Sequence, residues 1–271
     1  MSSTLTLPPA SQVSRLLTAA ILALLVGAAL LHGPIEQPAD YHDFADRHAL
    51  WGIPHAQDVL SNLPFALVAL WGWWRLAIRR RAGGRSAAWP GYRLFLVGLF
   101  LTALGSAFYH WAPDNVRLVW DRLPIALACA GLLAGAWSDT HRRNCADAAA
   151  CLALVAVLSV AWWYFGQLAG RGDLRPYLIL QATPILLIPL WQFVHRAPRE
   201  DRRKFGGALL LYVVAKVAEL NDHVLLAATG MISGHTLKHL LAAVAAGMIV
   251  HALVRRAGRD GADASRRSGQ A

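Results

Sequence analysis

Long apolar runs recur along this chain and constrain its fold more than any other feature. They occupy residues 16–31, 59–78, 94–110, 119–137, 148–168, 177–194, 205–228 and 235–254. About 20 apolar residues let a helix cross the roughly 30 Å of hydrocarbon in a bilayer. Charged residues make up only 15% of the chain, against about 25% in an average soluble domain. We therefore predict an all-α, polytopic transmembrane helix bundle with eight spans.

The net charge of +10 follows the loops and is not gathered on one surface. Most of the 26 lysines and arginines lie in alternate loops and in the two tails. No basic stretch is interleaved with aromatic residues in the way that a nucleic-acid groove requires, so no nucleic-acid partner is expected. The positive-inside tendency places both termini in the cytoplasm and the acidic, histidine-bearing segment 36–58 on the other side.

The two ends of the chain differ in composition from the middle. Residues 1–13 and 257–271 are polar and are predicted to be disordered, whereas residues 14–256 are predicted to form the bundle. Arg15 before the first run is also typical of a signal peptide. No small-x-small cleavage pattern follows cleanly, however, so we interpret the run as a retained span. The odd number of cysteines indicates neither a disulfide framework nor a cysteine metal site.

Polar residues interrupt the apolar pattern in the stretch 105–124, GSAFYHWAPDNVRLVWDRLP. Ser106 and His110 are four residues apart, so a helix places them on one face, one turn above each other. Proline and polar residues then end that helix, and Asp121 lies near the start of the next run. The sequence thus predicts a hydroxyl, an imidazole and a carboxylate at one depth of the membrane.

A second polar motif opens the last span, where His235 and His239 are again four residues apart. Imidazole is a common zinc ligand, and such a pair projects two ligands from one helical turn. Together with His110, they would leave a fourth zinc position open for water. Asp121 could then take a proton from that water, and Ser106 could hydrogen-bond a developing oxyanion.

Each of these residues also has a structural interpretation. Ser106 alone would bond back to its own helix, and Asp121 would suit a helix N-terminus beside Arg122. Charged groups inside a membrane are costly and are usually paired or functional. Lys216 and Glu219 accordingly indicate first a buried ion pair. The polar residues predicted to support the site are Asn62, Lys216, Glu219 and Asp222.

The order of these motifs is similar to that in a known family. Ser-x-x-x-His ends one span, Asp121 opens the next, His-x-x-x-His opens the last, and Ser61-Asn62 opens an earlier one. This combination resembles the alkaline ceramidases and the wider membrane hydrolase superfamily that includes adiponectin-type receptors. DYHDFADRHALWGIPHAQDVLSNLPF and SGHTLKHLLAA resemble segments of its bacterial ceramidase-like members. The resemblance covers residues 40–254, which makes run 16–31 an added helix on a seven-helix core.

The resemblance implies a zinc-dependent amidohydrolase that cleaves a ceramide-like membrane lipid into a sphingoid base and a fatty acid. It implies that His110, His235 and His239 bind zinc, that Asp121 contacts the metal-bound water and that Ser106 assists near the metal. It further implies a bacterial inner-membrane location with the site towards the periplasm.

Alkaline ceramidases also carry a calcium site in the acidic segment before their first span. Here Asp40, Asp43 and Asp46 would supply its oxygen ligands, whereas His55 stands where an acidic ligand would align.

Two other interpretations of the histidines remain open. A receptor-like or regulatory membrane protein would hold zinc structurally and turn over no lipid amide. A haem protein for electron transfer would use His239 and His251 of the last span, but that interpretation gives Ser106 and Asp121 no role.

Overall fold

The computed structural model describes the backbone of residues 9–81 and 86–268, without the side chains of 79–81 and 258–268. This part of the chain folds into helices, and it contains no β-sheet beyond one isolated bridge between Leu50 and Ile53. The helices are α1 (Ala10–His32), α2 (Ala56–Leu60), α3 (Leu63–Arg81), α4 (Trp89–Trp111), α5 (Asn115–His141), α6 (Ala146–Leu168), α7 (Arg175–Val194), α8 (Arg199–Leu220), α9 (Asp222–Thr229) and α10 (Gly234–Ser268).

Within the described residues, six helices are long and apolar enough to cross a membrane: α1, α4, α5, α6, α7 and the first 24 residues of α10. A helix satisfies its own backbone hydrogen bonds, which is why it can span a layer that holds no water. The prediction of an all-helical membrane protein is confirmed at this level. The predicted second and seventh spans fall in α3 and in α8 with α9, which lie outside these six because charged residues crowd their ends.

The span predicted at residues 205–228 is wrong as a single helix, because the helix is interrupted at Asn221, between α8 and α9. Asp222, just after the break, accepts hydrogen bonds from the backbone N–H of Ala45 at 2.9 Å and of His235 at 2.7 Å. A straight helix would carry this carboxylate past both partners.

The predicted disordered ends are helical where the structure describes them. The first helix begins at Ala10 and therefore includes the end of segment 1–13, of which residues 1–8 lie outside the described residues. The last helix continues to Ser268, through most of segment 257–271. Alanine and arginine, which recur in that segment, are favourable in helices even where no core is present.

The bundle is built around α4 and α5, which pack along each other. One core joins α3, α4 and α10 around Leu96 and Val250. A second core joins α4, α5, α6 and α7 around Leu118 and Trp163. The first helix, α1, packs mainly on α7, and Ser14 is its one buried side chain. The segment between α1 and α2 folds over one end of the bundle and buries Phe44 there.

Candidate metal centre

Three histidines meet where α4 ends and α10 begins. His110 lies in the last turn of α4, and His235 and His239 lie on successive turns of α10. All three are buried, and one ring nitrogen from each lies within 4.8 Å of the others. The two Nε2 atoms of His110 and His235 are 3.2 Å apart. The predicted histidine group is therefore brought together and could hold a metal ion; the described residues contain no other group of this kind.

Neighbouring polar residues fix the histidine rings. The Nδ1 atom of His239 lies 2.8 Å from the Ser61 hydroxyl and 3.5 Å from the Asn62 amide nitrogen. Such a contact turns the opposite nitrogen of a ligating imidazole towards its metal. The predicted supporting residue Asn62 also donates to the backbone carbonyl of Asp58 at 2.8 Å. The other predicted supporting residue here, Asp222, holds the backbone N–H of His235.

Asp58 connects the elements around the histidine group, a role that the sequence motifs did not predict. Its carboxylate accepts hydrogen bonds from the hydroxyls of Thr236 at 2.5 Å and Ser233 at 3.2 Å. Burial, with a contribution from the nearby charge of Asp46, raises the pKa of Asp58 to about 6. The residue joins α2 to the first turn of α10 and so helps to place the two histidines of that helix.

Lys216 and Glu219 form an ion pair, but Lys216 is half-exposed, so the pair is not buried as predicted; a second lysine joins it. The Lys238 amine lies 3.0 Å from a Glu219 carboxylate oxygen and 2.8 Å from the Nε2 atom of His235. A cation bound by the histidines would repel this ammonium group, but Glu219 offers it an alternative position. The three imidazoles, with one ring fixed by Ser61, therefore fit a divalent transition metal.

Ser106 and Asp121 come together from neighbouring helices. Both are buried, and they lie close enough for the Ser106 hydroxyl to interact with the Asp121 carboxylate. Gly105 makes this possible, since a Cβ there would lie 1.8 Å from the backbone oxygen of Trp120. Because Ser106 precedes His110 by one turn of α4, its hydroxyl lies near one histidine of the group, and Asp121 interacts with that hydroxyl.

Aromatic side chains cover the histidine group and surround the arginine that follows Asp121. Phe44 packs edge-on against His110 and His235, with ring centroids 4.5 Å away in each case. Arg122, the residue after Asp121, is buried with its guanidinium carbon 4.0 Å from the ring centroid of Trp163. A charged residue inside an apolar run indicates that Arg122 has an unusual environment. The sequence does not reveal its aromatic partners, because they lie on other elements.

The predicted calcium ligands Asp40, Asp43 and Asp46 are not brought together into a metal-binding group in the described part of the chain. The Asp46 carboxylate is buried and accepts hydrogen bonds from backbone N–H groups at the start of α2. Asp43 forms an exposed ion pair with Arg47. Asp43 and Asp46 are thus engaged by local partners, and the calcium site stays a prediction.

The two histidines of the haem interpretation are far apart. His239 and His251 lie about 12 residues apart on one helix, which corresponds to about 18 Å of rise. His251 instead stacks on Trp71, with ring centroids 6.1 Å apart. The pair therefore cannot provide both axial ligands of a single haem.

An apolar groove of about 320 Å³ runs between α4 and α5. Gly105 and Trp120, the neighbours of these two polar residues in the sequence, both line it. Its other walls come from leucine, phenylalanine and proline side chains: Leu101, Leu104, Phe108, Leu123, Pro124 and Leu127. The groove can accommodate a hydrocarbon chain beside the polar centre.

Comparison with protein-family models, curated proteins and solved structures finds no match to this chain. The resemblance to alkaline ceramidases therefore stays a prediction, and function has to be argued from the geometry of the site.

Proposed function

We propose that this protein is a zinc-dependent membrane hydrolase that cleaves the amide bond of a ceramide-like lipid to a sphingoid base and a fatty acid. The observation that carries the proposal is that Ser106, which interacts with Asp121, lies one helical turn from His110, a member of the group of three buried imidazoles. A purely structural zinc site closes its coordination with protein ligands and has no use for an adjacent hydroxyl and carboxylate.

The three histidines would hold the ion. When bound, zinc would supply Lewis acidity, polarising the scissile carbonyl and making a water molecule more acidic. The Ser61 hydroxyl would keep the His239 ring in its orientation, and Lys238 would stay with Glu219 and leave the Nε2 atom of His235 free.

The remaining chemistry belongs to residues of α4 and α5. Asp121 would accept a proton from the attacking water and deliver it to the nitrogen of the departing amine. Ser106 would turn its hydroxyl from Asp121 to the carbonyl oxygen as negative charge develops there. Phe44, packed on two of the histidines, would limit the entry of bulk water from the end of the bundle.

Two features support a lipid as the substrate. The groove between α4 and α5 is lined almost entirely by apolar side chains, and its lining includes Gly105 and Trp120, the sequence neighbours of Ser106 and Asp121. The centre itself lies between apolar helices, where a soluble amide would have to leave water. An acyl chain in the groove would bring an amide near its headgroup to Ser106 and Asp121.

The orientation in the membrane is part of the proposal. We infer an eight-span topology in which α3 and α8 complete the bundle and both termini face the cytoplasm, because basic residues dominate alternate loops. The metal centre would then face the periplasm of a bacterial inner membrane.

Replacement of Asp121 by Asn tests the proposed chemistry. The amide cannot accept the proton, so we expect release of fatty acid from labelled ceramide to fall at least about 100-fold, while bound zinc is retained. Asp147→Asn, which alters an exposed carboxylate on α6, is the matched control and should keep full turnover.

Full amidase activity in zinc-loaded Asp121→Asn protein would remove Asp121 from the mechanism. Zinc binding by the wild type without cleavage of any amide in a broad lipid panel would instead favour the receptor-like interpretation.

A further inference from the structure

A cavity of about 740 Å³ lies between α1, α5 and α7. His141 in its wall follows Asp121 on α5 by about 20 residues, or roughly 30 Å of helix. The cavity is therefore at the end of the bundle opposite the histidine centre, and none of the three histidines of that centre lines it.

Three arginines line this cavity: Arg15 from α1, and Arg142 and Arg143 from the turn after α5. No ion pair found among the described residues includes any of them. Three like charges around one space repel one another, and the repulsion is stronger beside hydrocarbon than in water. An anion placed among them would relieve that repulsion.

Two histidines form a polar wall between the arginines. The rings of His141 and His195 have centroids 4.5 Å apart, and His141 is held by the Ser14 hydroxyl at 3.1 Å and stacked on Trp137. The Nε2 atom of His195 is buried and has no hydrogen-bond partner. Both imidazole rings line the cavity and offer a ligand polar groups beside the guanidinium groups.

The cavity continues from this polar wall onto an apolar one. Ala19 and Leu22 of α1 line it further along that helix, and α1 leaves most of its other side chains uncovered. Trp137 and Trp191 also line the cavity, and tryptophans are enriched at the level of lipid headgroups. The space thus combines a cationic mouth at the membrane interface with an apolar flank along a spanning helix.

We propose that this cavity binds an anionic phospholipid, with its phosphate among Arg15, Arg142 and Arg143 and one acyl chain along Ala19 and Leu22. Free phosphate presents the same oxygens to the arginines, but it has no counterpart to the apolar flank. The bound lipid fills the space between α1 and the rest of the bundle, and it acts independently of the proposed hydrolase reaction.

The test uses the full-length protein in detergent, titrated with phosphatidylglycerol or phosphatidylcholine and followed by native mass spectrometry. The wild type should prefer phosphatidylglycerol at least tenfold. A triple variant with Arg15→Gln, Arg142→Gln and Arg143→Gln should lose that preference. The matched control replaces the exposed Arg199, Arg202 and Arg203 of α8 by Gln; it removes the same charge and should bind as the wild type does.

Three results would overturn the proposal. Equal loss of preference in both triple variants would mean that general surface charge attracts the lipid. Inorganic phosphate that raises the melting temperature as much as phosphatidylglycerol, and displaces it at millimolar concentration, would assign the cavity to a soluble anion. If the cavity triple variant is unfolded without lipid, Arg15→Gln alone replaces it and should lower the preference at least threefold; an unchanged preference would contradict the proposal.

Discussion

The Ser61 hydroxyl shows how a single contact outside the histidine group can control it. It lies 2.8 Å from the Nδ1 atom of His239 and so fixes which ring nitrogen faces the other histidines. We predict that Ser61→Ala weakens zinc binding about 10- to 100-fold, as loss of a contact to a ligating histidine commonly does. Competition with a chromophoric chelator would measure the change.

Ser159→Ala is the control for this prediction, because the Ser159 hydroxyl is also buried but bonds only back to Ala156 of its own helix. It should leave zinc affinity unchanged. Equal affinities for the wild type and Ser61→Ala would show that the His239 ring is held by its packing alone.

At the scale of residues, spacing predicts partners within a helix better than partners between helices. His235 and His239 share a face because they are four residues apart. His110 joins them in the prediction because it lies at the same depth of the membrane, at the end of another span. The direction of Lys238 depends on Glu219 from another helix, so no local pattern reveals it. Asp46 carries the right chemistry for calcium, but its partners are backbone N–H groups, which the sequence does not display.

The contact between α4 and α5 brings Ser106 to Asp121, and this contact depends on small residues. A Cβ at Gly98 would lie 2.5 Å from the backbone nitrogen of Ala128. We predict that Gly98→Ala destabilises the bundle by about 1 to 3 kcal/mol, as overpacking of an interior typically does. The melting temperature in detergent should fall, together with turnover.

Gly206→Ala provides the comparison, because a Cβ at Gly206 in α8 would meet nothing within 4 Å. Its melting temperature should stay the same or rise, since alanine favours a helix over glycine. A Gly98→Ala protein as stable as the wild type would show that α4 and α5 can separate without cost.

Asp173 links three elements at the end of the bundle that carries the histidines. It pairs with Arg175 at the start of α7 and accepts hydrogen bonds from the backbone of Ile35 and from Trp162 of α6. Burial alone would raise the pKa of Asp173, but these hydrogen bonds outweigh it and hold the pKa at about 2, below the ordinary 3.8.

The lowered pKa predicts a defined pH dependence for Asp173→Asn. The charged carboxylate is favoured by the folded state, so its contribution is full above about pH 4 and is lost as the pH falls towards 2. At pH 7 the variant should melt at a lower temperature than the wild type, and the difference should close between pH 4 and pH 2. A difference that does not change with pH would contradict this assignment.

At the scale of elements, hydropathy predicts where an apolar run lies but not where its helix breaks. The apolar run 205–228 continues through Asn221, although the helix is interrupted at that residue. The interruption lets the Asp222 carboxylate accept hydrogen bonds from the backbone N–H groups of Ala45 and His235. These two partners come from distant parts of the chain. The run at residues 94–110 is simpler, because Pro90 near its start and Pro113 after its end mark the limits of α4.

The whole molecule carries polar groups at both ends of an apolar bundle. One end holds the histidine centre with its groove between α4 and α5, and the other holds the basic cavity beside α1. The apolar runs of spanning length, together with the low fraction of charged residues, predict the all-helical membrane fold. The number of spans depends on α3 and α8, whose charged ends make their hydropathy indecisive.

The most direct measurement determines zinc content and fatty acid release in the same detergent-purified samples of wild type, His235→Ala and His251→Ala. His251 lies on the same helix but outside the histidine group, so its variant controls for loss of an imidazole. We predict one zinc per chain and ceramide cleavage in the wild type and His251→Ala, with both lost in His235→Ala. A wild type without metal, or a His235→Ala protein that keeps both zinc and turnover, would contradict the proposed zinc centre.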